Sequence, residues 1–157
     1  MKNILDLFRM IIISGEIAIV LISFLFFLRA PVLLSEISKS LFEGSLPITT
    51  IPWALIFVYV GTTITSSKSL LFPKENNRTL LNWSLYPALY RRAIFAIIWT
   101  SLSGLITVII MIFKSYFSHS LIGFIYISVT ASSLLSAITI ILANFKVRYI
   151  IEKNLND

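Results

Sequence analysis

The sequence predicts an all-α integral membrane protein with four transmembrane helices and with both termini on the cytoplasmic side. Two observations on composition support this fold class: 57% of the 157 residues are hydrophobic and only 13% are charged. A soluble domain of this size carries about 25% charged residues, so this chain has too little polar surface to cover a water-soluble globule. The third observation is that the apolar residues fall into four long runs separated by polar segments. The length allows a single domain, 1–157.

The first half of the chain supplies two predicted spans and a helix between them. Residues 10–28 are almost wholly apolar, long enough to cross a hydrocarbon core of roughly 30 Å, and lack a signal-peptide cleavage site, so we expect an uncleaved first span. Residues 31–44 place apolar and charged side chains on different helical faces, which predicts an amphipathic helix in the membrane interface. Residues 48–67 are the second predicted span, at the short end for a span, with hydroxyls that bond to the carbonyls of their own helix.

The second half of the chain holds the two strongest spans. Residues 70–92 form a basic and aromatic segment, which we predict to be a cytoplasmic loop in short helical pieces around Pro87. Residues 93–113 and 121–143 contain no charged residue and are both long enough to cross a bilayer. Residues 144–157 are polar and mildly basic, which predicts a cytoplasmic tail.

The distribution of cationic residues predicts the orientation. Of the 13 Lys and Arg residues, ten lie in the N-terminal segment, in the central loop with Lys68 just before it, and in the tail, and three lie in the other two connections. Since cytoplasmic loops of membrane proteins carry an excess of Lys and Arg, the N-terminus, the central loop and the tail are expected in the cytoplasm.

The central loop is the predicted docking surface. Its cationic and aromatic side chains suit either of two roles: contact with anionic lipid headgroups, or a hot spot for a soluble cytoplasmic protein partner. Direct binding to nucleic acid is not expected, because the basic footprint is small and carries no recognised motif. The residues predicted to dock a partner or lipid are Lys74, Arg78, Trp83, Tyr86, Tyr90, Arg91 and Arg92.

Glu16 is the one charged residue within a predicted span, where an ionised carboxylate is costly unless it is paired. It has two interpretations: a gate, proton site or ion-pathway residue in an oligomer, or a structural residue that bonds to a hydroxyl of a neighbouring helix.

Small residues recur at helical spacing in the third and fourth predicted spans. Such faces allow helices to approach closely, either within one chain or between copies, and hydroxyls on them could alternatively line a polar pore. The residues predicted to pack are Ala96, Thr100, Gly104, Thr107, Ser128, Ser132 and Ser136.

The sequence carries no pattern of a catalytic, cofactor or metal site. The chain has no cysteine and a single histidine, His119, and its seven acidic residues are scattered over both predicted sides. We therefore expect no enzyme activity, no cofactor and no metal.

The layout of spans, basic aromatic loop and short basic tail resembles the four-span membrane subunit of the Kiwa anti-phage defence system. This resemblance implies an inner-membrane protein of bacteria that senses an event at the envelope and recruits a cytoplasmic effector. The leading hypothesis is thus a homo-oligomeric sensor or anchor in the lipid bilayer. The alternatives are a small oligomeric ion channel, for which Glu16 and the serine stripes would face water, and a transporter subunit.

Overall fold

The computed structural model of the protein describes residues 14–42, 46–72 and 83–156, and most of these residues lie in α-helices. The helices are α1 (Gly15–Arg29), α2 (Pro31–Phe42), α3 (Leu46–Leu71), α4 (Tyr86–Phe113) and α5 (His119–Asn156), with a 3-10 turn (Lys114–Tyr116) between α4 and α5. The predicted all-α class is confirmed for this part of the chain.

The described helices provide three or four candidate membrane spans. Three helical segments are long and apolar enough to cross a membrane alone: Trp53–Leu71, Tyr86–Tyr116 and His119–Val147. Helix α1 is too short to cross alone. Together with the first part of α2, over Gly15–Arg29 and Pro31–Leu41, it passes the same test as one element bent by 106°. The bend occurs because Pro31 ends the first helix and begins a second one in a different direction. The bent pair is either a broken span or a re-entrant loop.

Three helices extend beyond the predicted spans. Helix α3 covers Leu46–Leu71, whereas the predicted span was 48–67. Helix α4 begins at Tyr86 rather than at residue 93, since Pro87 lies in its first turn, where the missing N–H breaks no helical hydrogen bond. Helix α5 runs through the predicted tail to Asn156, because neither Gly nor Pro follows Gly123 to end it. Two of the predicted segments lie partly outside the described residues. These are residues 43 and 44 of the predicted amphipathic helix 31–44, and residues 10–13 of the first predicted span.

Helix α5 is the centre of the bundle and contacts each of the other four helices. Helix α1 is antiparallel to α5. Gly15 at its start lies against Leu135, whereas the Phe27 ring near its end packs at a tilt against Phe124, with ring centroids 5.4 Å apart. We call the end where α3 stops and α4 starts the loop end, and the opposite end, where α4 meets α5, the hairpin end.

Helix α2 lies across α5 at the hairpin end. It approaches α5 at Gly123, where a Cβ atom would come within 2.9 Å of the carbonyl carbon of Leu34 and closer still to its oxygen. Ser38 Oγ of α2 lies 3.4 Å from His119 Nδ1 at the start of α5. Leu41 continues the contact into an apolar cluster with Trp53, Ile56, Ile110, Ile122 and Val129. A residue larger than glycine at position 123 would push α2 away.

Candidate functional site: a buried ion pair and an aromatic helix end

Glu16 lies in the first turn of α1, with its side chain fully buried in the bundle. The helix starts here because Ser14 is its N-cap, with extended backbone angles and a side-chain oxygen that accepts from the Ile17 N–H at 3.4 Å. An acidic residue in the first turn also interacts favourably with the N-terminal end of the helix dipole. The local sequence therefore sets both the start of α1 and the position of its carboxylate.

Glu16 pairs with Arg92 of α4. The Arg92 Nη2 atom donates to Glu16 Oε1, and also to Thr139 Oγ1 of α5 at 2.8 Å. The Ser136 hydroxyl of α5 donates to the same carboxylate oxygen at 2.6 Å. The guanidinium carbon lies 5.6 Å from the Phe95 ring centroid, close enough for a cation–π contact. One carboxylate thus joins three helices.

The second carboxylate oxygen, Glu16 Oε2, is buried and has no hydrogen-bond partner among the described residues. The guanidinium is only partly buried, with 25% of the Arg92 side chain exposed, whereas the Glu16 side chain has no exposed surface. Removing Arg92 leaves the buried carboxylate without a counter-charge, and removing Glu16 leaves a partly buried guanidinium unpaired. For buried pairs such a loss costs about 3–5 kcal/mol. The pair therefore makes the mutual arrangement of α1, α4 and α5 specific.

This arrangement bears on both interpretations of Glu16. If Glu16 has a structural role, it is expected to form a hydrogen bond with a hydroxyl of a neighbouring helix, and Ser136 of α5 provides that hydrogen bond. The arginine partner was missed, since Arg92 was predicted to dock a partner or lipid. A signal existed in the sequence: Arg92 is the last cation before an uncharged span, and an unpaired acid in another span needs a cation nearby.

The seven small residues predicted to pack are all buried in the bundle. A Cβ atom on Gly104 of α4 would touch Val60 of α3 at 3.4 Å, so this face of α4 packs against α3. Thr100 and Thr107 donate to carbonyls of their own helix at 2.8 Å, and Ser136 donates to Glu16. These faces are occupied by contacts within one chain.

The predicted docking residues have different positions. Trp83 and Tyr86 pack against the apolar cluster at the loop end, and the Tyr86 hydroxyl donates to the Leu70 carbonyl at 3.2 Å. Tyr90 is exposed, Arg91 is half-buried, and Arg92 holds Glu16. Lys74 and Arg78 lie outside the described residues, so their role stays a prediction.

Other large apolar side chains are exposed at the loop end. We define the aromatic end as Phe72, Leu85, Tyr90, Phe145 and Tyr149, of which Phe145 and Tyr149 on α5 are 64% and 67% exposed. Exposed cations accompany them at Lys68 and Lys146. Sequence reasoning missed the α5 members of this surface. Their spacing of four residues in a stretch without Gly or Pro was the available signal for one helical face.

A polar contact joins α3 and α5 beneath the aromatic end. Asn144 Nδ2 donates to the Ser66 carbonyl at 2.6 Å, and Ser69 Oγ donates to Asn144 Oδ1 at 2.7 Å. These residues line a cavity of about 310 Å³, together with Thr65, Ile141 and Phe145. The contact holds the outer part of α5 in a defined position relative to α3.

These features define the class as an all-helical protein with three or four helices apolar enough to cross a membrane and with a buried ion pair between three of its helices. No protein family, curated protein or solved structure matches the chain. In the part of the chain that the structure describes, no three metal-ligating side chains cluster.

Proposed function

We propose that the protein is a non-enzymatic sensor or anchor of the bacterial inner membrane that binds a soluble cytoplasmic protein through the aromatic end. The observation that carries this proposal is the length of α5. Its candidate span stops at Val147, but the helix continues to Asn156. At 1.5 Å per residue the helix is about 57 Å long, well beyond a hydrocarbon core of roughly 30 Å. A helix that projects from the bilayer presents a preorganised surface to a soluble protein.

The chemistry of the aromatic end supports a protein partner. Phe145, in the last turn of the candidate span, and Tyr149, just beyond it, lie on one face of α5 and are mostly exposed. Aromatic residues supply large contact areas at hot spots of protein interfaces. Lys68 and Lys146 are exposed in the last turns of α3 and in the outer part of α5, so we expect an acidic partner surface, which also favours rapid association.

The hydrogen bonds of Asn144 connect the aromatic end to the rest of the bundle. Asn144 connects the base of the projecting helix to the last turns of α3, and Glu16 and Arg92 connect α1 and α4 to the same helix. A change in helix packing within the membrane would therefore move the projecting part of α5. A sensor requires such a link. The resemblance of the predicted span layout to the Kiwa membrane subunit is the ground on which we propose a role in anti-phage defence.

The proposed assembly is a homo-oligomer that binds its partner on the cytoplasmic side. Because the small-residue faces are buried within the chain, copies would associate through the exposed apolar faces of their helices. We do not favour the ion channel, since Glu16 and the serine stripe are buried in helix contacts rather than along a shared polar surface.

The proposal is tested by native purification of three proteins: the unaltered chain, Phe145→Ser with Tyr149→Ser, and Tyr116→Ser. Tyr116 is the matched control, an aromatic residue that is 82% exposed at the hairpin end. We expect a soluble protein to copurify in fixed ratio with the unaltered chain and with Tyr116→Ser, and to be lost from the double variant. Equal recovery of the same protein with all three, or recovery of lipid alone, contradicts the proposal.

A further inference from the structure

The cavity between α3 and α5 at the loop end has polar side chains that a ligand can reach. Its volume is about 310 Å³, and it is lined by Thr65, Ser66, Ser69, Ile141, Asn144 and Phe145. The Thr65, Ser69 and Phe145 side chains are exposed, and the others are half-buried. The volume falls within the usual range for small-molecule sites, roughly 300–1,000 Å³.

The hydrogen bonds already present determine which groups remain for a ligand. The Thr65 hydroxyl donates to the Gly61 carbonyl at 2.8 Å, and the Ser69 hydroxyl donates to Asn144 Oδ1 at 2.7 Å. Because each hydroxyl has a single hydrogen, both oxygens are left as acceptors. One N–H of the Asn144 amide donates to the Ser66 carbonyl, which leaves the second N–H as a donor. The cavity thus offers two acceptors and one donor.

A matching ligand has to donate as well as accept hydrogen bonds. A hydroxyl group does both, whereas ester oxygens and the oxygens of an ionised phosphate only accept. Among the described residues, no charged side chain lines the cavity. A phosphate drawn into it would therefore lose hydration without gaining a counter-charge. The polar part of the ligand is thus uncharged and carries a hydroxyl group.

The depth of the cavity points to a lipid. Residues 65–69 lie two to six residues before the end of the candidate span Trp53–Leu71, and residues 141–145 lie equally far before the end of His119–Val147. At 1.5 Å per residue this is about 3–9 Å along each helix. A position just inside the end of a span corresponds to the edge of the hydrocarbon core, where the glycerol esters of membrane lipids lie.

An apolar groove leads from the cavity toward the hairpin end. Helices α3 and α5 run in the same direction, since the Trp53 and Tyr126 rings lie 5.0 Å apart toward the hairpin end and Asn144 contacts Ser66 toward the loop end. One and two turns before the cavity, each helix places exposed residues on the face that lines it. These residues are Val58, Gly61, Leu134 and Ile138. A Cβ atom on Gly61 would meet nothing within 4 Å, so the groove has room for an acyl chain.

We propose that the cavity and the groove bind an uncharged glycerolipid with a free hydroxyl group, of which diacylglycerol is the simplest. The lipid hydroxyl donates to Thr65 Oγ1 and accepts from Asn144 Nδ2, and an acyl chain lies in the groove between α3 and α5. The proposal does not depend on the docking of a protein partner at the aromatic end, with which the cavity shares only Phe145.

Competition photolabelling tests the class of ligand. The full chain, reconstituted in phosphatidylcholine nanodiscs, is labelled with a trace of diacylglycerol that carries a photoactivatable group on one acyl chain. The competitors are unlabelled diacylglycerol, the methyl ether of its hydroxyl group, and phosphatidylglycerol, all with the same acyl chains. We expect diacylglycerol to halve the labelling at a mole fraction at least about fivefold below that of the ether, the effect of one net hydrogen bond. Phosphatidylglycerol should compete no better than the ether.

Two isosteric variants of α3 separate the hydroxyl contact from contact with hydrocarbon. Thr65→Val should raise the half-competing mole fraction of diacylglycerol by about fivefold, while Thr62→Val should leave it unchanged. Thr62 is the matched control, a half-buried threonine one turn away that does not line the cavity. Because the Thr65 hydroxyl donates only to carbonyls of its own helix, its loss should leave the bundle folded. Equal competition by diacylglycerol and either other lipid overturns the proposal, as does an equal effect of the two variants.

Discussion

The carboxylate of Glu16 and the guanidinium of Arg92, 76 residues apart in the chain, form an ion pair inside the bundle. The pair joins the first turn of α1 to the second turn of α4, and Ser136 and Thr139 of α5 complete it. Arg92, which the sequence analysis predicted to dock a partner or lipid on the cytoplasmic side, instead contacts other helices of the bundle. The consequence is that α1, which is short for a span, is anchored to the two strongest spans by charge as well as by apolar contacts.

The first prediction concerns the stability of this pair. Glu16→Gln and Arg92→Met should each lower the free energy of unfolding by about 3 kcal/mol, because each leaves the other charge buried without its partner. The lower end of the usual range applies since Arg92 is partly exposed. Unfolding followed by helical content in mixed micelles measures the loss.

The double variant is the control for this prediction. Glu16→Gln with Arg92→Met should lose at least about 1 kcal/mol less than the sum of the single losses, as coupled residues do. Strict additivity of the two single effects would show that the pair does not form.

The second prediction concerns the contact between α2 and α5. Gly123→Ala should lower the free energy of unfolding by about 2 kcal/mol, since the added methyl group overlaps the Leu34 carbonyl and α2 has to shift. Gly61→Ala is the matched control, because a Cβ there meets nothing within 4 Å, and it should stabilise the helix by up to about 1 kcal/mol.

A crosslink shows whether α2 itself moves. The chain has no cysteine, so Ser38→Cys with His119→Cys introduces one thiol pair at a contact of 3.4 Å. A short thiol-reactive crosslinker should join the pair efficiently in the Gly61→Ala background and poorly in the Gly123→Ala background. Equal yields would mean that α2 does not rest on Gly123.

The third prediction concerns orientation. Ser84 at the loop end and Ser115 at the hairpin end are both exposed. Because most Lys and Arg residues in the described part of the chain lie toward the loop end, a membrane-impermeant maleimide should label Ser84→Cys only from the cytoplasmic side and Ser115→Cys only from the other side. Each variant is the control for the other, and the reverse pattern would refute the orientation.

The fourth prediction concerns ion conduction. The reconstituted protein should give no conductance above that of the lipid, and Glu16→Gln should be indistinguishable from it, because Glu16 is fully buried and paired. Planar bilayer recordings measure this. Stepwise currents that disappear in Glu16→Gln would instead favour the channel hypothesis.

The helical fold and its apolar spans were predictable because hydrophobicity over about 20 residues is a strong local signal. Boundaries were less predictable, since they depend on weaker features. Pro87 was expected to interrupt a helix, but it lies in the first turn of α4, where proline is tolerated. The polarity of residues 144–157 indicated a tail, although polar residues without Gly or Pro continue a helix as readily as they end it.

The candidate site was predictable only in part. Glu16 was recognisable from its cost in a span, and a hydroxyl partner was an expected possibility. Arg92 was not assigned to it, because the pairing depends on how α1 and α4 lie against α5, which no local pattern encodes. The same holds for Trp83 and Tyr86, whose aromatic character suits an exposed interface but which pack against the loop-end cluster.

The central claim, that the projecting end of α5 holds a soluble protein at the membrane, is tested most directly by the mass of the complex extracted gently from its native membrane. The chain alone has a mass of 17.8 kDa. The account predicts a mass that corresponds to several copies plus a soluble protein, which dissociates when Phe145 and Tyr149 are changed to serine. A mass accounted for by copies of the chain and lipid alone would contradict it.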